Sequence, residues 1–127
     1  VTEMGYPWSA TAKKFSDAYW QTMGHPADPY SLGTYVGLRE YCAAVERAGT
    51  TETKKVMDEL RGHTFEYHKG PEKWRECDLQ AIQDWFIVKG KPADKAKNEW
   101  DIWDVVEKGG SEAPEKYMLT CEELGFK

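Results

Sequence analysis

Residues 28–49 read Asp28-Pro29-Tyr30-Ser31-Leu32-Gly33-Thr34-Tyr35-Val36-Gly37-Leu38-Arg39-Glu40-Tyr41-Cys42-Ala43-Ala44-Val45-Glu46-Arg47-Ala48-Gly49. This is one helix with a marked start and stop. Asp28 is suited to N-cap it, Pro29 to the first helical position, and Gly49 to end it. Leu32, Tyr35, Val36, Leu38, Tyr41, Cys42, Val45 and Ala48 form a wide apolar stripe. A stripe that wide predicts a helix packed against a sheet or between elements, with Cys42 as a buried core residue.

A shorter helix precedes it. Ser9 or Thr11 can cap it, and Ala12, Phe15, Ala18, Tyr19 and Met23 recur at helical steps before Gly24. The connector His25-Pro26-Ala27-Asp28-Pro29 is stiff, because each proline restricts the residue before it. After Gly49, Thr50 or Thr51 opens a third helix, Glu52 to Leu60, stopped by Gly62. The chain then changes character. Thr64 to Tyr67 alternates like a half-buried strand, Lys69-Gly70-Pro71 is a turn, and Lys73 to Cys77 is expected to pair back. Ile82 to Lys89 and Trp100 to Val106 read as two further strands, separated by a lysine-rich loop over 91–99. Helices first and strands second read, in isolation, as α+β.

Composition bounds the function. The chain has 127 residues, 40% hydrophobic and 31% charged, so it can bury a core. Its net charge of -5 argues against a nucleic-acid or anionic-membrane partner. No apolar run approaches the ~20 residues of a membrane span. Val1 is not an initiator methionine and no signal segment stands at the start, which predicts a processed, trimmed or excised product. His25, His63 and His68 have no metal-site spacing, and neither a nucleophile elbow nor a phosphate loop is present. No metal, no cofactor and no enzymatic activity are therefore expected. Cys77 and Cys121 could pair in an oxidising compartment and fasten the tail; two free thiols is the other reading.

Aromatics supply 13% of the chain. Tyr6, Trp8, Tyr30 and Tyr35 lie near loop–helix junctions, and core packing is the plain explanation for each. Tyr35 sits mid-stripe, and core wins there. Tyr30 follows two prolines and opens a helix, a frequent position for ligand-facing residues. Backbone N–H groups at that helix start would also suit a carboxylate.

The order of several short motifs resembles a known family. These are Phe15-x-x-Ala18-Tyr19; Gly24-His25-Pro26; Tyr30 to Leu38; Ala43-Ala44-Val45-Glu46-Arg47-Ala48-Gly49-Thr50-Thr51; and Phe65, Gly70-Pro71, Trp74-Arg75, Asp78, Gln80. Together they resemble type I periplasmic solute-binding proteins, more narrowly the leucine/isoleucine/valine-binding family of ABC importers. The resemblance implies an α/β chain that is the C-terminal part of a two-lobed fold. Residues 1–78 would supply lobe-one helices and a strand hairpin, and 79–127 the crossover strands and tail. It implies a periplasmic, non-enzymatic receptor. A small amino acid, amide or aromatic carboxylate would bind between the lobes and pass to a membrane permease. Tyr30 would contact ligand, with Tyr6 and Trp8 near the cleft, and Asp78 and Gln80 would lie in the hinge. Val36-Gly37 stands where the family has Asp-Ala, and Leu79 where it has His. The competing reading is a stand-alone α+β interaction module with an aromatic contact face. A fragment of the receptor would expose the stripe, and would be marginal unless swapped with another copy or held by the rest of the protein.

Overall fold

The structure is a computed structural model that describes residues 9–67, 70–110 and 118–126. Tyr6, Trp8 and His68 lie outside the described residues. Three helices come first: α1 (Ala10–Met23), α2 (Pro29–Ala48) and α3 (Thr53–Leu60). The start and stop signals act locally. Ser9 Oγ accepts from Ala12 N at 3.0 Å, Asp28 caps α2, and Gly24 and Gly49 take the left-handed conformation that ends α1 and α2. α1 meets α2 through the Phe15 and Tyr35 rings, 4.5 Å between centroids, and through Tyr19 Oη and Ser31 Oγ at 3.2 Å.

Five strands follow, in two sheets. β1 (Thr64–Glu66), β2 (Pro71–Trp74) and β3 (Ala81–Ile82) form an antiparallel sheet in the order β1-β2-β3, with Phe65 opposite Glu72 and Trp74 opposite Ala81. β4 (Trp85–Gly90) and β5 (Trp103–Gly109) form an antiparallel ribbon with an irregularity between Ile87 and Val88. Every pairing among the described residues is antiparallel, so the architecture within this chain is α+β.

The strand expected over Lys73 to Cys77 spans Pro71–Trp74, and α3 begins at Thr53 with Glu52 at its N-cap. Three further details depart from the sequence reading. The strand expected over 82–89 is interrupted at Gln83-Asp84, because its two ends join different sheets. The strand expected from Trp100 starts at Trp103 instead. There Asp101 accepts from the Lys91 ammonium and from Lys97 N at 3.0 Å, which holds residues 97–101 in a turn. The loop before it contains a short 3-10 helix, Ala93–Lys95.

The third departure concerns α2. Its buried row is Leu32, Val36, Glu40 and Ala44, a strict four-residue repeat. Leu38 and Tyr41 are exposed, and so is Cys42, which corrects its assignment to the core. Within this chain α2 buries only the edge of its apolar stripe that faces α3 and the β1–β2 hairpin. The remaining core comprises Ala12, Ala27, Val56, Ile82 and Phe86.

Candidate functional site

Tyr30 occupies the first turn of α2 and is 86% exposed. The backbone around it is already satisfied. Asp28 Oδ1 accepts from Tyr30 N at 2.8 Å and from Ser31 N at 2.9 Å, while Oδ2 accepts from Ser31 Oγ at 2.7 Å. These bonds, first of all that from the Ser31 hydroxyl, hold the Asp28 carboxyl below its usual range. The sequence reading offered those N–H groups to a ligand carboxylate; Asp28 itself fills that role. What Tyr30 presents is a free aromatic ring and hydroxyl on a firmly capped helix, suited to stacking.

Asp78 and Gln80 lie in a turn that is bonded throughout. Arg75 grips Asp78 bidentately, with Nε 2.9 Å from Oδ1 and Nη2 on Oδ2. Gln80 N donates to Asp78 Oδ1 at 3.0 Å, Arg75 N to Gln80 O at 2.9 Å and Leu79 N to Arg75 O at 2.9 Å. The Arg75 guanidinium holds the Asp78 carboxyl down to about 2. Leu79 takes a positive φ of 59° at the tip. From outside the turn, Arg61 donates to the carbonyls of Glu76 and Cys77, and a disulfide joins Cys77 to Cys121. Arg75 Nη1 also reaches Leu119 O at 2.8 Å. The tail is thus tied to the same turn by a covalent bond and a charged hydrogen bond.

A third cluster centres on Glu40, which lies in none of the motifs that carry the resemblance. Glu40, 1% exposed, projects from the middle of α2 under the hairpin. Its carboxylate receives His63 Nδ1 at 2.9 Å, Tyr67 Oη at 3.1 Å and Trp74 Nε1 at 3.3 Å. Facing a carboxylate, His63 Nδ1 carries the proton. Arg47 Nη2 is more distant, 3.9 Å from Oε2. Burial, and then the bond to Glu40, raise the Tyr67 hydroxyl above its ordinary range. Arg39 lies over the Tyr67 ring, 4.4 Å from its centroid, and donates to Tyr35 Oη at 3.2 Å. The cluster pins the hairpin to α2; it is a structural clamp. Hydropathy points Glu40 outward. The available signal is its place in the four-residue row Leu32–Val36–Glu40–Ala44, with donor-bearing side chains waiting at 63, 67 and 74.

Among the described residues no three His, Cys, Asp or Glu side chains are placed to hold a metal ion, and no helix is long and apolar enough to cross a membrane. Two open grooves among the described residues, about 430 Å³ beside Lys13, Lys14 and Gln21 and about 260 Å³ beside Lys91, Asn98 and Glu99, include none of Tyr30, Asp78 and Gln80. The structure does not bring Tyr30 together with Asp78 or Gln80 in a shared pocket among the described residues.

Comparison with solved structures places this arrangement in a larger frame. An amino acid ABC transporter substrate-binding protein from Pseudomonas fluorescens superposes with a TM-score of 0.80 over 94% of this chain at 18% identity. A periplasmic binding protein from Burkholderia mallei gives 0.79 over 94% at 22% identity. A solute binding protein of an ABC transporter from Rhodopseudomonas palustris, in complex with 3,4-dihydroxybenzoic acid, gives 0.70 over 81% at 20% identity. The chain spans 30%, 31% and 28% of those proteins respectively. No curated protein sequence matches. A family model described as periplasmic binding protein matches residues 1–97. With 97 of its 127 residues so matched, the chain belongs to the periplasmic binding protein family.

Proposed function

We propose that this chain is the C-terminal part of the extracellular solute-binding subunit of an ABC importer. In that reading the whole receptor works in the periplasm, binds a small amino acid, amide or aromatic carboxylate in a cleft between two lobes, and hands it to a membrane permease. It performs no chemistry on the solute. The observation that carries the reading is the family match over residues 1–97. It is supported by superposition on substrate-binding proteins of ABC transporters, one of them holding an aromatic carboxylic acid.

Tyr30 is the ligand contact this chain offers. Its exposed ring stands on a helix start that Asp28 has already neutralised, so its contribution is aromatic contact and one hydroxyl, not charge. Tyr6 and Trp8 are the further candidates. The bonded turn at Asp78 and Gln80 would form the root from which the crossing strands leave.

The test is calorimetry on the whole receptor against a panel of amino acids, their amides and aromatic carboxylates. One class should bind with a Kd in the micromolar range or tighter. Tyr30→Ala should weaken that binding by more than ~1 kcal/mol, about fivefold. Unchanged affinity removes Tyr30 from the site. A panel without a binder, in a receptor that instead forms a stable complex with another protein, refutes transport in favour of an interaction module.

A further inference from the structure

The β4–β5 ribbon is attached to the rest of the chain at both ends, and nearly at one place. It leaves the first sheet through Gln83-Asp84, shortly after the turn between Arg75 and Gln80. Its far end returns through the tail, where Cys121 is bonded to Cys77 inside that same turn, with the two Cα atoms 6.0 Å apart. The whole ribbon therefore lies within one closed loop of the chain. Its root is fixed: Asp84 is buried beside Gly70 and lies 2.8 Å from Lys108 Nζ, and Phe86 is buried. Beyond the root, Ile87, Val105 and Val106 are exposed. Among the described residues β4 and β5 pack closely on one another, and neither packs more than marginally on α1–α3 or β1–β3. The turn that receives the sulfur bond closes without it. Arg75 N donates to Gln80 O, the Arg75 guanidinium grips Asp78, and Arg61 holds the carbonyls of Glu76 and Cys77. The tail is likewise folded by itself. Thr120 N donates to Glu123 Oε2 at 2.8 Å and Glu123 N to Thr120 Oγ1 at 3.2 Å, a reciprocal cap, and Gly125 closes the turn at a φ of 82°.

From this arrangement we infer that the Cys77–Cys121 bond is a redox-sensitive strap on the ribbon. Formed, it holds the returning chain against the ribbon's root and fixes the ribbon's angle. Reduced by a dithiol, it leaves the turn and the tail folded and lets the ribbon swing about Gln83-Asp84. A single backbone joint leaves two soft dihedrals free at each linking residue, and a second anchor close by removes most of that freedom. What still joins tail to turn after reduction includes the Arg75 Nη1 bond to Leu119 O, which water can replace. Cys77 and Cys121 are both partly exposed, so a dithiol can reach the sulfurs. The exchange balances: two electrons and two protons pass to the bond, giving the Cys77 and Cys121 thiols. The reductant's two sulfurs join in a disulfide of their own. The consequence for solute binding rests on the reading above, in which the strands after Gln80 cross to the second lobe, so that the strap limits how the lobes move. The release itself does not depend on that reading.

The experiment is time-resolved energy transfer in the whole receptor. Donor and acceptor dyes are carried on azide-bearing residues placed at Lys54 of α3 and Glu107 of β5, both exposed. The oxidised protein should give one narrow distance distribution. Dithiothreitol should roughly double its width, with opening of the bond read by mass as alkylation of Cys77 and Cys121, and with the helical circular dichroism unchanged. Cys77→Ser with Cys121→Ser should show the broad distribution from the start and should not respond to the dithiol. A distribution that stays narrow with the bond open overturns the inference, because something other than the strap then holds the ribbon. So does a bond that the dithiol cannot open in the folded receptor. So does loss of the helical signal on opening, which makes the bond a staple for the whole fold. Calorimetry on the same sample with the panel named above separates the two proposals. Broadening in a receptor that binds no member of the panel keeps the strap and refutes transport; binding with an unchanged width does the reverse.

Discussion

Glu40 is the residue whose removal should cost this chain most. Glu40→Ala takes away one carboxylate and leaves three donors facing the gap: His63 Nδ1, Tyr67 Oη and Trp74 Nε1. The His63 side chain is 30% exposed and can turn to water, so its loss is the smallest. Tyr67 and Trp74 are half-buried and fixed by ring contacts with Phe65, at 5.4 and 5.3 Å, so their polar atoms rehydrate poorly. Each stranded donor costs about 1–3 kcal/mol. The side chain also leaves a void beneath the hairpin. The total falls at about 3–5 kcal/mol, the range for breaking one side of a buried charged group. A domain of this size has ~5–15 kcal/mol to lose. In urea, with a slope of about 1–3 kcal/mol/M, the midpoint should fall by more than 1 M. Glu40→Gln keeps one acceptor oxygen and should cost about 1–2 kcal/mol. Tryptophan fluorescence through the transition is the assay, since Trp74 is part of the cluster. A Glu40→Ala midpoint within about 0.3 M of the parent would show that the clamp contributes nothing net, and the reasoning would fail.

The remaining predictions concern the tail, the acid limit and a glycine inside α2. Cys77→Ser with Cys121→Ser opens a loop spanning 44 positions, and chain entropy sets the loss at about 4 kcal/mol; calorimetry with and without reductant measures it, and reductant should leave the double variant unchanged. The Asp78 carboxyl is lowered from 3.8 to about 2, so its contribution is complete above pH ~4 and disappears as pH falls through about 2. Asp78→Asn should flatten that acid limb in a pH series of thermal melts and leave its shape above pH 5 unchanged. Gly37→Ala, tested in the 127-residue chain alone, should stabilise by about 0.5–1 kcal/mol, because the helix gains and the new methyl meets no described neighbour.

Much of the helical half is written in local signals. Ser9, Gly24, Asp28-Pro29 and Gly49 each act on backbone groups within one turn, so their effect can be read before any tertiary structure is known. The strands are less legible, because a strand's limits depend on its partner. Gln83-Asp84 has no breaker residue; the chain divides there because β3 joins β2 and β4 joins β5. Trp100 to Ile102 has strand composition, yet Asp101 bonded to Lys91 and to Lys97 N delays the strand to Trp103. In α2 the apolar width is plain, but which side this chain covers is not. That choice is made by His63, Tyr67 and Trp74, arriving from a hairpin more than twenty residues away and drawing Glu40 inward. At Tyr30 the helix start was legible. So was the cap: an N-cap Asp28 accepts from the Tyr30 and Ser31 N–H groups, which leaves them already bonded and not open to a ligand carboxylate.

The bond between Cys77 and Cys121 also bears on what a protease can do to this molecule. The exposed loop after β4 offers trypsin-like enzymes Lys95 and Lys97, and both lie between the two cysteines. A cut there severs the backbone but releases nothing. The piece carrying β5 remains attached to the piece carrying the helices through the sulfur bridge. Such a nicked molecule would run as a single species on a non-reducing gel and separate in two only when a thiol is added. For a protein proposed to work outside the cytoplasmic membrane, damage at this exposed loop would be damage it can carry without falling apart.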